Sequence, residues 1–210
     1  MPTHYRAPVE FSEAVRRRRM VRSFTNEPVD DDVVRRVLDA ARRGPSAGYS
    51  QGVEFVLITD PAKRATIAAT GDEMFEQLQR PNFAAQAPVH VVVCVSPAIY
   101  TDRYHESDKQ EVVSETSDDD LWKVPYWYAD AGAALSLLLL AAVDEGIAAA
   151  FIGGVEHELI RDLVGMPSSY VPVGIALLGH EAPDAKQYGD VAARPRKRRP
   201  YNEVVHENTW

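Results

Sequence analysis

The chain has 210 residues, 45% of them hydrophobic and 26% charged, so it carries enough apolar material for a packed core and reads as one folded domain over 1–210. Its 23 basic against 31 acidic residues leave a net charge of −8, which argues against a general binder of nucleic acid or of anionic membrane, whose phosphates require a basic surface. The single cysteine, Cys94, excludes an internal disulfide framework and any multi-cysteine metal site.

Residues 9–20 place Phe11 and Val15 at helical spacing and run into four arginines at 16–19. A break at 25–28 and Asp30 as N-cap open a second helix, with Val33, Val34, Val37, Leu38 and Ala41 on one side and the Gly-Pro stretch 44–48 ending it. The β-branched run 53–59 predicts a strand closed by Asp60-Pro61, and 62–70 and 72–79 predict helices. Residues 89–96 are nearly continuous valine, the pattern of a strand buried on both faces. The stretch 97–125, with three aspartates at 118–120, has the least regular pattern and reads as an excursion or lid without a core of its own.

Residues 128–145 form the most apolar helical segment and belong at the centre of the molecule. A short strand at 148–152 precedes Gly153-Gly154; a helix at 156–164 and a strand at 171–178 follow. The tail 181–210 has little periodic apolar content and several arginines, so it is either disordered or held by something outside its own core. Long helices between few, buried strands read as α+β or α/β, with helices covering a central sheet. No apolar leader opens the sequence, and the longest apolar stretch, 131–143, is too short to span a bilayer; a cytoplasmic protein without membrane contact is expected.

Two arginine groups, at 16–22 and 194–199, hold ten of the 23 basic residues of an acidic chain. Either run alone is compatible with a solvated face; together they suit a phosphate monoester, which several guanidinium forks bind best. The loop 45–52 is small, polar and glycine-broken; its composition favours a plain helix-to-strand turn and also permits close approach of backbone amides to a flat polar ligand. Gln51 offers a donor and an acceptor to a heterocycle edge. Nucleophile and metal chemistry find no support: the six histidines are scattered, no G-x-S-x-G elbow occurs, and Cys94 sits in an apolar strand. No side chain is assigned as catalytic, and the hard chemistry of an enzyme of this composition belongs to a cofactor.

Six segments in register resemble the FMN-dependent nitroreductase family: Arg18-Arg19-Met20-Val21-Arg22-Ser23-Phe24 with Pro28-Val29, the Gly44–Gln51 loop, Asp130-Ala131-Gly132 with the apolar helix behind it, Ile152-Gly153-Gly154, the run from Gly165-Met166-Pro167 to Gly179-His180, and Arg198-Arg199-Pro200 through His206 and Trp210. The resemblance spans the chain. It implies an α+β sandwich with a central mixed sheet flanked by helices, and a homodimer with two FMN sites and a C-terminal arm (181–210) wrapping the partner subunit. By the same resemblance Arg18, Arg19 and Arg22 hold the FMN phosphate and ribityl chain, Met20 gives a backbone contact, and Arg196 and Arg198 complete the phosphate site. Pro45, Ser46, Ala47 and Gly48 line the isoalloxazine from the partner, Gln51 reaches its polar edge, and Ile152, Gly153 and Gly154 pass near N5.

The sequence departs from the family pattern at Met20 (commonly Ser), Tyr49 (commonly Asn) and Gly52 (commonly Pro). Tyr49, Trp122, Tyr126 and Trp127 are the expected substrate-facing residues, the last three in the family's variable lid, where core packing is an equal reading for any one of them. The activity implied is transfer of electrons from NAD(P)H through FMN to a nitroaromatic or quinone-like small molecule by ping-pong kinetics. The same scaffold also implies, as alternatives, dehalogenation, desaturation or ene reduction, flavin fragmentation, or flavin sequestration without turnover.

Overall fold

The computed structural model describes residues 9–78, 82–113, 115–183, 185 and 198–210, without the side chains of 110–112. Helix α1 (Phe11–Arg17) stops before the expected 9–20, because Arg18 turns to extended backbone (φ −57°, ψ 122°). Helix α2 (Asp31–Ala41) is capped by Asp30, whose side chain accepts from the Asp32 amide at 2.8 Å. Strand β1 (Val53–Ile58), helices α3 (Pro61–Ala69), α4 (Asp72–Gln77) and α5 (Phe83–Gln86), and strand β2 (Val89–Val95) follow.

The stretch read as irregular is largely helical: α6 (Pro97–Tyr104), α7 (Ser107–Val113) and α8 (Asp118–Leu121). Pro97 reads as a breaker, yet it sits in the first turn of α6, where its missing N–H costs nothing. Helix α9 (Tyr126–Asp144), strand β3 (Ala148–Ile152), helix α10 (His157–Val164) and strand β4 (Val171–Gly179) complete the core.

The four strands lie in the order β1-β2-β4-β3, and every described pairing is antiparallel. The expected mixed sheet is therefore corrected. Helices do fill the connections. Those from β1 to β2 and from β3 to β4 bring the chain back beside the strand end it left, with Ile58 opposite His90 and Ile152 opposite Ile175. The connection from β2 to β3 returns the chain to the other end of the sheet, skipping one strand position.

Side-chain alternation along the strands sorts the core into two layers. Val89, Val91, Ala149, Ala176 and Leu178 face α2 and α9, meeting Val37, Ala41, Leu138 and Ala142. Val92, Ile175 and Leu177 face α3, α5 and α10, meeting Ile67, Phe83 and Ile160. By length and composition α9 is apolar enough to cross a membrane, but in this fold it packs on α2 and on all four strands. Of the tail 181–210, residues 184 and 186–197 lie outside the described residues; 198–210 holds a short 3-10 turn at Tyr201–Glu203 and is exposed.

Candidate functional site

Beyond α1 the arginine run leaves the helix and passes the start of β3, where the Val21 amide donates to the Ala149 carbonyl at 2.9 Å. Phe24 then bridges to Glu181, and the Thr25 amide donates to the His180 carbonyl at 2.9 Å. The backbone that carries Arg18, Arg19 and Arg22 thus passes where β3 begins and β4 ends. Arg19 is ion-paired with Glu181. A cavity of about 390 Å³ opens here, with Arg17, Arg19 and Glu181 over an apolar floor of Val21, Leu139 and Ile147. Met20 turns its side chain toward the α2/α9 layer, partly buried, an apolar anchor where the family pattern has a hydroxyl.

At the opposite end of the sheet, the loop before β1 folds into a tight 3-10 turn, Ala47–Tyr49. Gly48 (φ 59°), Tyr49 (φ 58°) and Gln51 (φ 56°) all adopt left-handed backbone. That conformation is strained for the two residues with a β-carbon, and it persists only when neighbours hold it. The neighbours are specific. The Ala47 amide donates to Asp130 Oδ2 at 2.9 Å, and the Tyr100 hydroxyl donates to the same oxygen at 2.7 Å. The Gln51 amide donates to Ser46 Oγ at 2.7 Å, Ser50 Oγ donates to the Ala47 carbonyl at 2.6 Å, and Arg103 Nε donates to the Gly48 carbonyl at 3.0 Å.

Close packing adds to these bonds. A β-carbon at Gly48 would lie 2.5 Å from the Tyr104 ring, and one at Gly52 would lie 2.5 Å from the Tyr100 ring. The departure at Gly52 is thereby explained: Tyr100 occupies the space that a proline ring would need. Burial, reinforced by the Asp130 carboxylate, pushes the Tyr100 phenol well above its ordinary range, so it stays a proton donor. Burial likewise raises the Cys94 thiol to about 11, in keeping with an inert core cysteine.

Above the loop, Trp122 and Trp127 pack on each other (centroids 5.4 Å apart), on Tyr100 (6.3 and 6.0 Å), and, through Trp122, on Tyr104 (5.0 Å). The Trp122 indole N–H is buried without a partner. Tyr126 stands outside these ring contacts at 45% exposure, and Tyr49 projects from the loop at 73%.

Strand pairing relates the two ends. Val53 lies opposite Val95, Val95 opposite Val171, and Ile152 opposite Ile175, so the loop 45–52 and Ile152-Gly153-Gly154 share one end of the sheet. Ala148 lies opposite Gly179, at the arginine end. With β1 and β3 on opposite edges, the loop and the arginines of one chain are separated diagonally by on the order of 20 Å. The arginines and Gly153, by contrast, lie along the same strand. Arg196 is outside the described residues, and Arg198 is exposed. Among the described residues no cluster of His, Cys, Asp and Glu suits a metal ion.

Sequence reasoning missed Tyr100, Arg103, Tyr104 and Asp130 as the supports of the loop. A signal existed for each: Asp130 is the lone acid in the first four turns of the most apolar helix, and the other three share one helical face at i, i+3 and i+4.

A family profile described as Nitroreductase family matches residues 15–180. An FMN reductase [NAD(P)H] of Bacillus subtilis is 27% identical over 200 residues, covering 91% of this chain and 71% of that protein. An NADH dehydrogenase of Thermus thermophilus is 26% identical over 176 residues, covering 80% of this chain and 85% of that protein. The crystal structure of a nitroreductase family protein from Streptococcus pneumoniae superposes with a TM-score of 0.70 at 21% identity, covering 94% of this chain and 100% of that one.

Proposed function

The chain belongs to the nitroreductase family of oxidoreductases, and from that premise we propose that it is a cytoplasmic, homodimeric FMN enzyme that uses NAD(P)H to reduce nitroaromatic or quinone-like acceptors. The observation that carries the reading is the polarity of β3. The arginine-rich backbone of 18–22 passes its start, with Arg17 and Arg19 lining the cavity there, and two glycines follow its end, at most about 16 Å away along the strand.

The donor chemistry fits FMN. Arg18, Arg19 and Arg22, with Arg196 and Arg198, would hold the phosphate through charge-assisted forks. A β-carbon at Gly153 would meet only the edge of Phe151, at 3.9 Å, and one at Gly154 nothing within 4 Å, so Ile152-Gly153-Gly154 leaves room for the close backbone approach that a flat ring requires. Pro45, Ser46, Ala47, Gly48 and Gln51 would meet the ring from a second copy, since the diagonal separation keeps one chain's own loop away from its arginines. Exposed apolar groups at Phe11, Val15, Tyr201, Val204 and Trp210 are of the kind that a second copy covers.

When bound, FMN supplies the two-electron chemistry, accepting hydride from NAD(P)H and passing electrons to the acceptor, in ping-pong order. The protein binds, orients and excludes water. The arginines would neutralise the phosphate, the Gln51 side chain would reach the ring's polar edge, and Trp122 and Trp127 form an apolar cover beside the loop. Tyr49 and Tyr126, both exposed, are the side chains free to contact the acceptor.

The test is an anaerobic titration of FMN-reconstituted protein. Flavin absorbance that bleaches with NADH or NADPH and returns on adding a nitroaromatic or a quinone supports the proposal. Bound flavin that stays oxidised with both nucleotides refutes it.

A further inference from the structure

Segment 46–51 packs three left-handed residues into four positions, and two of them are not glycine. Such backbone relaxes unless it is over-determined from outside. The outside support converges on one buried carboxylate. Asp130 is 8% exposed in an otherwise apolar helix, and its Oδ2 accepts from both the Tyr100 hydroxyl and the Ala47 amide. The other end of the turn is held by Ser46, whose Oγ accepts from the Gln51 amide at 2.7 Å. The strained turn thus closes at Ala47 on the Asp130 carboxylate and at Gln51 on the Ser46 hydroxyl.

The second support comes from the same helical face. Tyr100, Arg103 and Tyr104 stand at i, i+3 and i+4 of α6; Arg103 holds the Gly48 carbonyl and Tyr104 lies against the Gly48 α-carbon. The rings of Tyr100 and Tyr104 also carry Trp122. The shape of the turn and the seating of the aromatic cover are thus fixed by shared side chains.

We propose that Tyr100 and Asp130 are positioning residues: a buried clamp that holds 46–51 in the one shape in which this loop meets the flavin ring, and that couples this shape to α6. The inference rests on the flavin reading above. Neither residue is asked to touch the reacting atoms. A buried network of this kind loses more than one bond when one member is removed, because the remaining groups stay out of water and unpaired.

The test uses full-length protein and three variants: Tyr100→Phe, Asp130→Ala and the double variant. Tyr100→Phe keeps the ring packing and removes only the hydroxyl, so it covers the case in which Asp130→Ala does not fold. Hydrogen–deuterium exchange without flavin should show the amides of 47–51 exchanging about tenfold faster or more in each variant, with β2 and the second half of α9 unchanged. FMN titrations followed by quenching of its fluorescence should show affinity falling about fivefold to tenfold, with the double variant no worse than the poorer single one.

Unchanged exchange at 47–51, or faster exchange spread evenly over the core, overturns the clamp. Unchanged FMN affinity beside faster local exchange overturns its link to flavin. Wild-type protein that takes up no FMN overturns the flavin reading and the clamp's role in it, a result distinct from both of these.

Discussion

Arg19 is ion-paired with Glu181, across the junction where β4 ends and the arginine run passes β3. A carboxylate therefore holds one of the three guanidinium groups assigned to the phosphate. Binding a phosphate dianion there requires Arg19 to exchange partners, and Glu181 opposes the anion by its own charge.

Glu181→Gln should accordingly tighten FMN binding. The pair is partly solvated, with a third or more of each side chain exposed, so its worth is at most about 1 kcal/mol and the gain about twofold to fivefold. Fluorescence titration at low and high salt checks it, with the larger gain at low salt. Equal or weaker binding by the variant would remove Glu181 from the phosphate's neighbourhood.

His90 lies on β2 with no exposed surface, its Nε2 bonded to the Ala84 carbonyl at 2.9 Å and its Nδ1 without a partner. Burial lowers its pKa to about 4, against an ordinary value of 6.5. The unfolded chain then binds the extra proton first as pH falls, so the contribution of neutral His90 is complete above pH 6.5 and is lost on the way down to about 4. Its full size is on the order of 3 kcal/mol. Denaturant unfolding of wild type and His90→Leu between pH 7 and 4 should show a steeper acid loss in wild type. Parallel pH profiles would contradict the assignment.

Gly52→Ala places a β-carbon 2.5 Å from the Tyr100 ring, whose hydroxyl cannot move without leaving Asp130. Overpacking of this kind costs about 1–3 kcal/mol, a fall in Tm of roughly 3–10 °C for a chain of this size. Scanning calorimetry reads it directly. A Tm within a degree of wild type would mean that Tyr100 yields freely.

Tyr49 carries left-handed strain with its side chain largely in solvent, so little packing repays it. Tyr49→Asn, which tolerates that backbone, should raise Tm by about 2–4 °C. It should also change KM for the acceptor more than kcat, if the phenol contacts substrate. A lower Tm would contradict the strain argument.

Much of this arrangement is legible in the residues themselves. The valine run of β2 and the alanine-rich β3 point to buried strands, whereas the tracts around Gly44–Gln51 and Ile152–Gly154 read by composition as turns and gain a ligand role only through the family resemblance. What hides is long-range pairing. The direct returns β1–β2 and β3–β4, and the insertion of β4 between β2 and β3, depend on which strands meet, which no local pattern encodes. The excursion at 97–125 conceals its helices because Pro97 looks like a stop until its first-turn position is known. Asp130 shows only as an acid in an apolar helix. Its meaning depends on Ala47 and Tyr100, 83 and 30 residues away.

The central claim is that each flavin site is made by two copies of the chain, and subunit complementation tests it most directly. One variant, Arg18→Ala with Arg22→Ala, loses the phosphate end; the other, Gly48→Val, loses the ring loop. Each alone should bind little FMN. Unfolded together in equal amounts and refolded, they should regain about a quarter of the wild-type FMN sites, because half the dimers are mixed and each mixed dimer holds one intact site. A mixture that binds no more FMN than the separate variants would contradict the shared site.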